Sequence, residues 1–218
     1  MIWRMKRKRR AMEEDITIRS RVAIFGGTFD PIHSAHLIVA REALELYGLS
    51  QVLFVVAGNP PHKPQTTSAP YKHRMRMVEL ACEATSEFVP SRLEETEEVS
   101  YSITTIEKVK NLQGPEGKLY FLIGADAFAE IRTWYRWGDV IRGVEFIVVT
   151  RPGHQYKVPP GALVQRLETL ALPVSSSEIR ARLAAGDDPP EVPRPVLAYI
   201  REHGLYGYPR PGRVSAGL

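Results

Sequence analysis

Hydrophobic positions along the chain alternate between two rhythms. Residues 22–25, 52–57, 119–123 and 146–150 are short apolar runs rich in β-branched and aromatic side chains. Such runs are expected of strands buried on both faces of a parallel sheet. Between them the spacing becomes helical. Residues 36–47 place Leu37, Ala40, Leu44 and Tyr47 on one face and stop at Gly48, and residues 71–85 repeat the pattern with Met75, Val78 and Cys82. A further strand-like run covers 167–172. Strands and helices alternating in this way predict an α/β fold, a doubly wound, Rossmann-like parallel sheet with helices on both faces, in a single domain.

Composition narrows the setting. A chain of 218 residues with 44% hydrophobic and 25% charged residues can bury a sizeable core as an ordinary globular protein. No apolar run reaches the length of a membrane helix, and the basic start is followed by Glu13, Glu14 and Asp15 rather than a signal-peptide core. A single cysteine, Cys82, excludes an internal disulfide framework. The expectation is a cytoplasmic protein without a membrane partner.

The pI of about 9.2 is misleading. Arg4, Lys6, Arg7, Lys8, Arg9 and Arg10 are six of the 29 basic residues, and without them 23 basic residues face 25 acidic ones. Residues 1–20 are thus expected to be a disordered basic extension, 21–207 the folded domain, and 208–218 a flexible tail. The basic cluster could bind nucleic acid, with an affinity falling steeply with salt. A charge run is more often a solvated extension, so nucleic acid is not the expected partner.

Two segments carry candidate chemistry. The first, directly after the first strand, is Gly26-Gly27-Thr28-Phe29-Asp30-Pro31-Ile32-His33-Ser34-Ala35-His36. Ligands of open parallel sheets bind beyond the carboxyl ends of strands, where this segment lies. Gly26 and Gly27 let the backbone approach a phosphate, and His33 and His36, three apart at a helix start, could both hydrogen-bond one phosphate group. Two histidines alone would favour an incidental pair in a Gly-rich turn or half of a metal site; the eleven-residue combination reverses that in favour of phosphate. The second is Val174-Ser175-Ser176-Ser177-Glu178-Ile179-Arg180. One serine is explained as a helix cap with Glu178. The remaining hydroxyls and Arg180 could hold the outer phosphates of a nucleotide.

With these residues the chain resembles the bacterial nicotinate-mononucleotide adenylyltransferases of the HxGH-type nucleotidyltransferases, over roughly residues 22–206. Beside the first loop, Asn59-Pro60-Pro61-His62-Lys63, Ser100-Tyr101-Ser102-Ile103-Thr104-Thr105-Ile106, Gly124-Ala125-Asp126 with Trp134-Tyr135, Arg151-Pro152-Gly153, and the serine segment match family motifs. Ala35 stands where the family usually has Gly; Ser177 and Ser102 stand for the commoner Thr. The resemblance implies transfer of AMP from ATP to nicotinate mononucleotide, giving deamido-NAD and pyrophosphate. It implies His33, His36 and Arg180 as catalytic residues, with ATP also held by Gly26, Gly27, Thr28, Phe29, Ser176 and Ser177. Mg²⁺ would accompany the ATP phosphates without protein side-chain ligands. The acceptor would meet Lys63, Ser102, Thr105, Gly124, Asp126, Trp134 and Tyr135, with nicotinate stacked on Trp134. Taken alone, both aromatics read as core residues, although Arg132 and Arg136 beside them suggest a surface segment. The alternative within the superfamily is a pantetheine-phosphate adenylyltransferase, which typically carries Thr at the position of His33 and lacks the Trp-Tyr and Arg-Pro-Gly elements.

Overall fold

A computed structural model describes residues 21–59, 68–170 and 174–209. The basic extension, Lys63 and the end of the C-terminal tail lie outside the described residues. Six parallel strands form one sheet: β1 (Arg21–Gly27), β2 (Gln51–Val56), β3 (Phe88–Ser91), β4 (Lys118–Gly124), β5 (Glu145–Thr150) and β6 (Leu163–Glu168). Their order is β3-β2-β1-β4-β5-β6. The connections are α1 (Ser34–Leu46), α2 (Tyr71–Cys82), α3 (Ser102–Gln113), α4 (Ala125–Ala129) and α5 (Trp137–Gly143), and α6 (Ser176–Ala184) and α7 (Arg194–His203) close the chain.

The unbroken apolar runs follow from burial on both faces. In β4, Leu119, Phe121 and Ile123 pack with Ile103, Ile106 and Val109 of α3 and Val140 of α5. The alternate residues Tyr120 and Leu122 face the opposite cluster, with Val39 and Ala43 of α1, Met75 of α2 and Ile179 of α6. Every residue of β2 is buried. Cys82 lies in the same core, and burial raises its thiol pKa to about 12, well away from reactive thiolate.

The edges were the least legible. β3 carries Pro90 and spans four residues, and β6 is largely exposed, so neither has the apolar run of a central strand. Of the run expected at 167–172, Leu167 and Glu168 end β6, which starts at Leu163, and 171–172 lie outside the described residues. At the start of the expected tail, the Tyr208 hydroxyl donates to Asp188 at 2.9 Å and accepts from Arg201. No described helix is long and apolar enough to cross a membrane.

Because β1 leads to β2 and β3 on one side while β4 to β6 build the other, the order reverses between β1 and β4. The carboxyl ends of these two strands therefore frame the crevice where such sheets bind ligands.

Candidate active site

The loop after β1 is fastened from several directions. Phe29 adopts a left-handed backbone (φ 46°) and is almost fully buried. Its ring lies edge-on to Phe25 and to His36, with centroids 5.6 and 5.1 Å away. Gly27 is needed here for packing: a Cβ would come within 3.1 Å of the Phe29 ring. At Gly26 a Cβ would meet only Phe121, at 3.8 Å. Asp30, also buried, accepts from the N–H groups of Ser68 and Ala69 at 2.6 and 3.1 Å and from the Tyr206 hydroxyl at 2.8 Å. The Asp30–Pro31 peptide is cis.

His33 caps α1 and His36 is its third residue, with ring centroids 3.8 Å apart. The backbone N–H of His33 donates to His36 Nδ1 at 3.2 Å, so the neutral His36 ring carries its proton on Nε2. Burial pushes the His33 pKa down to about 4, against the opposing pull of Glu191. Glu191 is itself held by Arg182 at 3.0 Å. His36 is lowered too, first by enclosure of its ring, then by His33, although the residue as a whole keeps some exposure. Both lowered pKa values favour neutral rings at pH 7, each with one ring N–H, rather than cations. His33 Nδ1 is buried without a hydrogen-bond partner among the described residues.

The serine segment folds against this loop. Ser175 is the helix cap: its hydroxyl accepts from Glu178 N–H at 3.2 Å, and the Glu178 carboxylate accepts from Ser175 N–H at 3.1 Å. Ser176 donates to the Pro31 carbonyl at 3.2 Å, and Arg180 donates to the Asp30 carbonyl at 2.8 Å. Ser177 reaches Ser175 at 3.0 Å. The N-termini of α1 and α6 thus meet at one loop across about 145 residues of sequence separation.

The acceptor candidates occupy the other flank of the crevice. Gly124 ends β4 with open space where a Cβ would stand, and Asp126 is exposed in the first turn of α4. Trp134 is half-buried, edge-on to Phe121 at 5.9 Å, whereas Tyr135 is 56% exposed with its ring 4.5 Å from Tyr101. The pair is thus divided between core and surface. Ser102 begins α3. Thr105 is buried, and its hydroxyl donates to Glu94 at 2.5 Å. Glu94, whose pKa is raised by burial, also accepts a hydrogen bond from Ser100. Ser100 Oγ accepts from Asn59 N–H at 3.0 Å, and a Cβ on Gly58 would collide with the Glu94 carbonyl oxygen.

Sequence reasoning overlooked Asp30 as an anchor, and Arg74, Tyr206, Glu94 and Glu191 altogether. Arg74 gave no signal because a lone Arg in a helix reads as exposed. Tyr206 gave none either, because its partner Asp30 is 176 residues away in sequence.

A family model described as cytidylyltransferase-like matches residues 24–182. The chain belongs to the cytidylyltransferase-like family. Within it, the chain is 58% identical over 186 residues to a probable nicotinate-nucleotide adenylyltransferase of Solibacter usitatus, covering 85% of this chain and 99% of that protein. A probable nicotinate-nucleotide adenylyltransferase of Pelobacter propionicus is 39% identical over 212 residues, covering 85% of this chain and 98% of that protein. In fold, the chain is similar to the Plasmodium falciparum nicotinic acid mononucleotide adenylyltransferase complexed with NaAD. The TM-score is 0.73 at 21% identity, covering 88% of this chain and 99% of that one.

Proposed function

We infer that the protein is a nicotinate-nucleotide adenylyltransferase, moving AMP from ATP to nicotinate mononucleotide and releasing pyrophosphate in NAD biosynthesis. The carrying observation is the meeting of two helix N-termini, two neutral histidines and Arg180 around one loop at the switch point of the sheet. An oxygen of the acceptor phosphate attacks the α-phosphorus, and the bond to the bridging oxygen of the β-phosphate breaks in line. Such a transfer needs positioning and charge stabilisation rather than a covalent nucleophile.

In this reading His36 Nε2–H and the His33 ring donate to the α-phosphate as charge grows there. The amides of Thr28 and Phe29 add backbone donors, Gly26 leaves the loop room to approach, and Gly27 makes room for the Phe29 ring. Arg180 has N–H groups beyond the one given to Asp30, and with Ser176, Ser177 and the α6 N-terminus it receives pyrophosphate. Mg²⁺ would arrive with the triphosphate, whose oxygens are the hard ligands it prefers, and would neutralise part of the phosphate charge. Among the described residues no group of three or more His, Cys, Asp or Glu could hold a metal, and the Asp30 carboxylate is engaged by three donors. The acceptor lies toward Gly124, Asp126, Ser102, Trp134 and Tyr135. Thr105 acts at one remove, through Glu94.

The test is an acceptor panel with ATP, following pyrophosphate release. Nicotinate mononucleotide should be used far better than nicotinamide mononucleotide; equal efficiency refutes the acid preference. His36→Ala should stay folded and lose about 10²–10³ in rate, as for removal of one transition-state donor. Near-normal turnover would remove the histidines from the mechanism.

A further inference from the structure

Arg74 is 1% exposed and lies in the N-terminal half of α2, where burial and the positive end of the helix both disfavour a cation. Its guanidinium is satisfied by three carbonyls from separate segments: Thr28 at 2.8 Å, Ala57 at 2.9 Å and Ala69 at 3.1 Å. Ala57 follows β2, Ala69 is held on its other side by Asp30, and Thr28 belongs to the loop after β1. One buried fork therefore ties together the segments after β1, after β2 and before α2, on the β1 flank of the crevice.

The contact with Thr28 has a stereochemical consequence. In a trans peptide the C=O and the following N–H point in opposite directions. Holding the Thr28 oxygen toward α2 turns the Phe29 N–H away from α2. The next residue has φ 46°, a conformation that a non-glycine residue keeps only when its surroundings enforce it. Arg74 at the carbonyl and the aromatic cluster around the ring supply that enforcement.

We propose that Arg74 is a positioning residue for adenylyl transfer, holding the Thr28–Phe29 peptide with the Phe29 N–H presented to the nucleotide phosphate. The proposal rests on the adenylyltransferase reading above. It assigns to a residue beneath the site the alignment of one of its donors.

The experiment compares wild type with R74K, R74Q and R74M, each checked by circular dichroism for folding at the assay temperature. R74M should lose about 10²-fold in kcat, the scale of a misplaced catalytic group, with little change in KM for nicotinate mononucleotide. R74K should recover part of the loss, since an ammonium can reach the Thr28 carbonyl but cannot fork to all three. In protein labelled with ¹⁵N-phenylalanine, Mg-ATP should shift the Phe29 amide of wild type and leave that of R74M nearly unmoved. A folded R74M with wild-type kcat and a wild-type Phe29 shift overturns the proposal. R74Q replaces R74M if the latter does not fold; if neither folds, Arg74 is structural alone and the proposal falls. Should wild type fail to turn over nicotinate mononucleotide, the functional reading fails, while the Phe29 shift still decides the role of Arg74.

Discussion

At the scale of single residues, the site is governed by neutrality rather than charge. His33 and His36 look in sequence like cations beside a phosphate, yet burial favours the neutral form of both, and the backbone N–H of His33 places the His36 proton on Nε2. In ¹H–¹⁵N spectra of the free protein, the His33 ring should titrate near 4; a midpoint near 6.5 would contradict its enclosure. Gly27 shows a second shift in meaning. Its absent side chain makes room for the Phe29 ring, so Gly27→Ala should disturb Phe29 and slow turnover more than Gly26→Ala does. Equal effects of the two substitutions would restore phosphate approach as the reason for both glycines.

At the scale of elements, the three serines divide their tasks. Ser175 closes a capping box, and Ser176 ties α6 to the loop after β1. Ser175→Ala should therefore cost about 1 kcal/mol of stability, a usual value for a lost cap, with modest effect on turnover. Ser176→Ala should do the reverse, which denaturation midpoints and initial rates would separate. The turns at 58–59 and 94–100 form another coupled unit, since Asn59 and Ser100 exchange hydrogen bonds and Gly58 lies against the Glu94 carbonyl. Gly58→Ala has to push the two turns apart. It should lower Tm and raise KM for the acceptor more than KM for ATP, and an unchanged acceptor KM would disconnect Glu94 and Thr105 from that side.

At the scale of the whole molecule, the C-terminus closes the site: Tyr206, 176 residues after Asp30, bonds the carboxylate that holds Ser68 and Ala69. The buried histidines also set a global pH response. The folded His33 pKa lies below its unfolded value of 6.5, so the unfolded chain binds more protons between about 6.5 and 4. The stability linked to His33 is complete above pH 6.5 and is lost as pH falls toward 4. Glu94 acts in the opposite sense, because its raised pKa favours the fold at low pH. Denaturation midpoints from pH 7 to 5 should fall in wild type and fall less in His33→Gln; parallel curves would remove His33 from this response. The sequence by itself determined the sheet interior, through apolar runs that only two-sided burial explains, and the two segments that meet at the site, through clusters too particular to be turns. It also carried the family. Only the tertiary structure decided which groups are spent on the fold: the fork of Arg74, the hydroxyl of Thr105 and the oxygens of Asp30 are all engaged within the chain. The physical reason is that burial and hydrogen-bond partners arise from segments distant in sequence, and together they set the protonation of the histidines that the sequence merely places three residues apart.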